Sequence, residues 1–157
     1  HHAAFEKYMG RGVNVNICCE DLPEECNTVT LDPELVDSNG IPAPKINYRL
    51  SENSKRMMDH AVGKATEVLQ AAGAFQIDPG GHAAGTGWHH MGTARMGKNP
   101  ETSVVNEWGR SHDVKNLFII DGSVFVTSGA VNPTTTIQAL ALYIADSMKK
   151  NLANLFD

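Results

Sequence analysis

Two regions of this chain carry side chains that could move a proton and hold an oxygen. The stretch Trp88-His89-His90-Met91-Gly92-Thr93-Ala94-Arg95-Met96-Gly97 sets imidazoles in a glycine-rich bend, where small residues let a flat ligand or another backbone approach closely. Further along, Asp121-Gly122-Ser123 adds a carboxylate, and Gly129-Ala130-Val131-Asn132-Pro133-Thr134-Thr135-Thr136 reads as a helix start with a side-chain amide at its tip. Asn132 is a favoured N-cap type, Pro133 suits the first helical position, and Thr134 to Thr136 place hydroxyls around the same free N–H groups. Such a helix start stabilises an electron-rich group.

An imidazole that titrates near neutral pH can accept a hydroxyl proton, and an amide can hold the oxygen that loses it. Removing hydrogen from an alcohol needs both, together with an acceptor for the hydride. On this reading His89 is the base and Asn132 the oxygen-binding donor. Arg95 has two readings, as a partner of a cofactor phosphate or as a brace of its own loop through backbone carbonyls. Trp88 is either core or a wall of the substrate pocket, and Asn132 can cap the helix and bind substrate at once.

Rival chemistries are weaker. A metal-dependent hydrolase would use His82, His89 and His90 with Asp121, but adjacent histidines rarely chelate one ion, and neither H-x-x-x-H nor H-E-x-x-H spacing is present. The glycines of Gly85-x-Gly87 do not complete a dinucleotide fingerprint, because His90 falls at the sixth position and no helix opens there. Cys18, Cys19 and Cys26 have no fourth partner and the wrong spacing for a zinc knuckle. No metal site is expected. A non-enzymatic reading, a catalytically silent α+β module, stands beside the enzymatic one.

The elements that must position these groups follow from periodicity. Val13-Asn14-Val15-Asn16-Ile17 alternates apolar and polar residues as a half-buried strand does, and further strands are expected at 28–31 and 46–50, joined through the turn cluster Asp37-Ser38-Asn39-Gly40. Three short strands with tight connections imply a largely antiparallel sheet. From Ser51, a suitable N-cap, the apolar residues Met57, Met58, Ala61, Val62, Ala65, Val68, Leu69 and Ala72 recur at helical spacing until Gly73. Asn99-Pro100-Glu101-Thr102-Ser103 is a turn, followed by a short extended piece at 104–106. Asn116-Leu117-Phe118-Ile119-Ile120 suits a fully buried strand of a parallel sheet, whose end is where α/β folds place ligands. The final helix is apolar on most faces, Ala139 and Leu142 joining Ile137, Leu140, Ile144 and Met148, and is expected to be buried.

With 157 residues, 41% of them hydrophobic, the chain suffices for one domain with a sizeable core. A net charge of −5 without any clustered Lys/Arg stripe argues against nucleic acid. No apolar run reaches the roughly 18 residues of a membrane span, and the start His1-His2-Ala3-Ala4-Phe5-Glu6 carries no signal-peptide pattern. The missing initiating Met leads us to expect a piece of something longer.

Three blocks in order, His89-x-x-Gly92-Thr93-x-Arg95-Met96-Gly97, Asn116 to Ser123, and Val131 to Leu140, resemble the C-terminal part of a glucose-methanol-choline (GMC) flavin oxidoreductase. The stretches 28–33 and 40–48 further resemble the bacterial branch of gluconate dehydrogenase-like flavoproteins, so the similarity runs from about Asn27 to about Met148. The resemblance implies an α+β chain: an antiparallel substrate-domain sheet with a long helix, in residues 1–115 with the catalytic His loop, plus the last strand and helix of an α/β FAD-binding domain in residues 116–157. It implies FAD as cofactor, His89 rather than His90 as base, and Asn132 as its partner. Asp121 and Gly122 match positions beside the ribityl and phosphate part of FAD, and Pro133 and Thr134, with Asn132, those beside the flavin ring. The adenine-binding half would lie in a missing N-terminal part. The branch implies sugar or sugar-acid hydroxyls as substrates, a cytochrome or quinone as electron acceptor, and action in the periplasm.

Overall fold

A computed structural model describes residues 1–81, 87–129, 131–151 and 153. Its described elements are α1 (His2–Tyr8), β1 (Thr28–Val36), β2 (Pro42–Asn47), α2 (Glu52–Ala71) and α3 (Thr134–Lys150), an α+β arrangement.

The hairpin follows from its turn chemistry. Strands β1 and β2 pair antiparallel, with Val29 opposite Ile46 and Leu31 opposite Pro44, and the register shifts between Leu31 and Val36. Asp32 accepts from the N–H groups of Glu34 and Leu35 at that irregularity, and Asp37 accepts from those of Asn39 and Ile41 in the connecting turn. Because side chains alternate along a strand, the two faces differ. On one, Asn47 donates to the hydroxyls of Thr28 and Thr30, and Lys45 lies 4.0 Å from Asp32. The other presents Val29, Leu31 and Ile46, with Leu31 68% and Ile46 73% exposed.

Beyond Asn47 the ladder stops, short of the expected Leu50, because the Asn27 side chain takes over: it accepts from the Arg49 N–H at 2.9 Å and donates to the Arg49 carbonyl at 3.1 Å. The expected strand at 13–17 is absent. That segment is coil with Val13, Val15 and Ile17 exposed. Alternation equips a segment for a sheet but cannot form one without a neighbour to receive its N–H and C=O groups.

Helix α2 begins as its sequence dictates. The Ser51 hydroxyl accepts from the Ser54 N–H at 3.0 Å, and Gly73, at φ 83°, turns the chain so that the Ala74 N–H reaches the Leu69 carbonyl at 3.0 Å. Asp21 ties this start to the hairpin, accepting from the Ser54 hydroxyl at 2.8 Å and the Tyr48 hydroxyl at 2.5 Å, and Ser54 is 1% exposed. Short α1, which periodicity did not announce, stacks Tyr8 on Phe75 and donates the Tyr8 hydroxyl to Gln76.

The fully buried apolar residues among those described are Val105, Val124 and Ile144, so the core lies where the 92–124 region meets α3. There Met96 bridges Val105 in parallel, and Val105 bridges Ser111 antiparallel. The expected buried strand at Asn116–Ile120 is not formed. Only Phe118 pairs, with Arg110, and the run is half-buried or exposed, since no strand among the described residues flanks it as a parallel sheet requires. Helix α3 likewise buries one face, through Ile144, while Leu142 and Tyr143 are exposed. The chain's accessible surface is 12033 Å², against roughly 7,700 Å² for a compact monomer of this mass.

Candidate functional site

The His loop is fastened to the Asp121 turn by backbone alone. The N–H of Gly92 donates to the Gly122 carbonyl at 3.2 Å, that of Ala94 to Ser123 at 2.9 Å, and that of Met96 to Val124 at 2.9 Å. Asp121 shapes the other side. Its carboxylate accepts from the Ser123 hydroxyl at 2.6 Å and the Ser123 N–H at 2.8 Å, which caps the single 3₁₀ turn Gly122–Val124. These bonds, the hydroxyl first and the amide second, hold the Asp121 carboxyl below its ordinary value.

Glycine is required twice here. Gly92 sits at φ 83°, and a Cβ there would lie 3.2 Å from the Phe125 carbonyl oxygen. A Cβ on Gly122 would lie 3.1 Å from the Ile137 side chain and 3.2 Å from the His90 carbonyl oxygen, so the His loop, the Asp121 turn and the first turn of α3 meet at one point.

The helix start differs by one residue from the sequence reading. Pro133, at φ −85° and ψ −8°, holds the cap position with no side-chain hydrogen bond, and α3 begins at Thr134. Asn132 is exposed just outside the helix and is not its N-cap. The first backbone bond across the start runs from the Ile137 N–H to the Pro133 carbonyl at 2.9 Å, so the N–H groups of Thr134, Thr135 and Thr136 precede the helical ladder.

Against this start lies an open cavity of about 260 Å³, lined among others by Met91, Phe125, Val131, Asn132, Pro133 and Thr136. Of the residues singled out from sequence, Asn132 and Pro133 line it; His89, Asp121, Gly122 and Thr134 do not. His89 and His90 are exposed in the bend, two residues and one residue before Met91. Trp88 is 85% exposed in this chain. Arg95 donates from Nε to the Thr102 carbonyl at 2.8 Å, so it braces its loop. Among the described residues His89, His90 and Asp121 join no cluster of metal-binding side chains, and His82 and Gly85 lie outside the described residues.

Sequence reasoning missed the cavity's Met91 and Phe125, which carry no motif signal. It also missed His112, whose Nε2 lies 3.0 Å from the Ser103 hydroxyl and 3.1 Å from the Gly97 carbonyl. A carbonyl only accepts, so Nε2 bears the proton and the ring clamps the end of the His loop to the 99–103 turn.

For a flavin, the fitting feature is the set of N–H groups at the α3 start, which precede the helical ladder; Gly122 is buried between Ile137 and the His90 carbonyl. The cavity is open and falls below the roughly 300–1,000 Å³ of enclosed ligand sites.

The GMC oxidoreductase family model matches residues 23–141. Over the whole chain, 2-methyl-1,2-propanediol dehydrogenase of Mycolicibacterium austroafricanum is 42% identical, the match covering 29% of that protein. The fructose dehydrogenase large subunit of Gluconobacter japonicus is 32% identical over 94% of the chain and 27% of its own length. The gluconate 2-dehydrogenase flavoprotein of Pantoea cypripedii is 30% identical over 79% of the chain and 22% of its own length. The chain thus spans less than a third of the curated relatives it matches.

Proposed function

Since this chain belongs to the GMC oxidoreductase family, we propose that it supplies the substrate-side wall and catalytic loop of an FAD-dependent oxidoreductase acting on the CH–OH groups of alcohols, polyols or sugars. The observation that carries the reading is the junction at Gly122, where the His loop, the Asp121 turn and the α3 start are held together. The relatives' names support the substrate range: a diol, fructose and gluconate are what those proteins are named for.

FAD, when bound, supplies the hydride acceptor. The chain's own residues do the rest. His89 takes the hydroxyl proton on its imidazole, and the Asn132 amide donates to the substrate oxygen from the cavity wall. The N–H groups of Thr134 to Thr136, which precede the helical ladder beside Pro133, stabilise negative charge facing the helix start. Asp121 keeps the turn in shape, and the Asp121–Gly122 turn stands beside the ribityl and phosphate part of the cofactor, with Gly122 itself packed against Ile137 and the His90 carbonyl.

A preceding FAD-binding part would cover much of the surface this chain leaves open, including the apolar face of β1 and β2, the 116–120 run and the outer side of α3. That run and α3 would then join the FAD-binding domain. By the same family likeness the electron acceptor is a cytochrome or quinone and the site of action the periplasm. The silent-module reading applies to the chain by itself, because an open wall below ligand-site volume holds a dinucleotide weakly. The deciding experiment is anaerobic flavin reduction by alcohols and sugars in the flavoprotein that contains this chain. Bleaching of the flavin by a CH–OH donor is expected, and its absence with every alcohol, polyol and sugar tried would overturn the reading.

A further inference from the structure

The two edges of the β1–β2 hairpin are unlike. In an antiparallel pair, opposed residues alternate between those that exchange both N–H···O bonds and those whose N–H and C=O groups point outward. A proline has no N–H to exchange, so Pro44 opposite Leu31 and Pro42 opposite Val36 belong to the outward kind. Both prolines therefore set their rings, without a donor, along the free edge of β2, where Ile46 supplies the remaining outward N–H. Prolines so placed block the addition of a further strand.

The same alternation gives β1 the opposite character. Val29 faces Ile46 and Leu31 faces Pro44, so the N–H and C=O groups of Val29 and Leu31 point away from β2, along the free edge of β1. Proline enters this strand only at Pro33, past that stretch, where Asp32 binds the Glu34 and Leu35 N–H groups and the register breaks. The side chains of Val29, Leu31 and Ile46 form an exposed apolar face beside the open edge. Two strands are marginal in water, and a third one here gives the outward groups of Val29 and Leu31 their partners while extending the apolar face.

We infer that the sheet continues through β1 alone: a strand from the part of the protein outside this chain, apolar at alternate positions, pairs with Val29 and Leu31, and the edge of β2 takes none. The source follows from length, since the stretch matched by this chain is less than a third of each relative and most of the polypeptide lies elsewhere. Segment 13–17 has the right alternation, yet it is coil in a chain whose described sheet holds only β1 and β2, so it is not the occupant. The inference concerns the sheet and not the chemistry, so its failure would leave the oxidoreductase reading intact.

Amide hydrogen exchange in the flavin-loaded, full-length protein tests it. The Val29 and Leu31 amides should exchange on the order of 100-fold or more slower than that of Ile46, as bonded and unbonded edge amides do. Dilution should leave this difference unchanged, because the added strand belongs to the same polypeptide. A diazirine-bearing leucine analogue at Leu31 should cross-link, besides β2, to a peptide from outside this chain. Val29 and Leu31 amides that exchange as fast as that of Ile46 overturn the inference, and so does an Ile46 amide as slow as theirs. A difference lost on dilution, or a cross-link to residues 13–17 or to another copy of the protein, overturns it as well.

Discussion

The backbone N–H of Gly92 donates to the carbonyl of Gly122 at 3.2 Å, and this bond fixes the His loop against the turn that abuts Ile137 of α3. A side chain on Gly92 works against it twice. Its φ of 83° is a left-handed conformation, and its Cβ would sit 3.2 Å from a backbone oxygen of Phe125, which cannot swing away. Gly92→Ala is therefore expected to cost about 1–2 kcal/mol from the backbone conformation alone, with a drop in Tm of roughly 2–8 °C. Thermal unfolding of the two proteins side by side checks this, and an unchanged Tm would show that the loop does not need this backbone.

The two adjacent histidines are both exposed in the bend, and the backbone oxygen of His90 faces Gly122; the proposed base is His89. In the flavin-loaded protein, His89→Ala should lower kcat for alcohol oxidation by about 10²- to 10⁴-fold, the usual worth of a positioned general base, without loss of bound flavin. His90→Ala should change kcat far less. Rapid-mixing measurement of flavin reduction reads both, and a larger loss at His90 would reverse the assignment.

Local signals in this chain were legible where the information is local. Ser51 and Gly73 mark the two ends of α2, and Asp37 with Gly40 marks the hairpin turn, because caps and turns are satisfied by atoms a few residues away. The strands at 13–17 and 116–120 were not formed, because their alternation or apolar run says only what such a segment could bury and never what lies beside it. The same holds for α3, whose outer residue Leu142 stays 73% exposed and whose Tyr143 meets Trp108 in a ring stack yet remains 63% exposed. The site divides likewise. The motifs pointed to His89 and Asn132 as candidates, and of these Asn132 lines the cavity, whereas Met91 and Phe125 reach it through the fold of the loop, which leaves no pattern in spacing.

His112 shows how a histidine without a motif can matter to the site from behind. Its Nε2 proton is shared between the Gly97 carbonyl and the Ser103 hydroxyl, and that hydroxyl donates onward to the Asn99 carbonyl at 2.6 Å. His112→Phe keeps the ring and removes the donor, leaving a partly buried carbonyl without its partner at a cost of about 1–3 kcal/mol. We expect lower resistance to urea, with the midpoint shifted and its slope retained, and a KM for alcohol closer to the unaltered value than in any Asn132 variant. An unshifted midpoint would mean that water replaces the ring at no cost.

Alkaline stability should report the Asp21 junction. Partial burial first, and the facing Asp21 carboxylate second, push the Tyr48 hydroxyl up to about 12. The fold therefore prefers the neutral phenol, and the stability this preference contributes is complete below the unfolded value of about 10 and is lost as pH rises through about 12. Tyr48→Phe cannot ionise and also lacks the bond to Asp21 at 2.5 Å. The substituted protein should thus be less stable than the original near neutral pH, and the gap between them should narrow as pH climbs past about 10. Thermal midpoints taken as the difference between the two proteins cancel the lysines they share. A gap that stays constant to the highest pH at which both still fold would show that the Tyr48 hydroxyl titrates alike in the folded and unfolded chains, and would remove the Asp21 junction as the source of the shift.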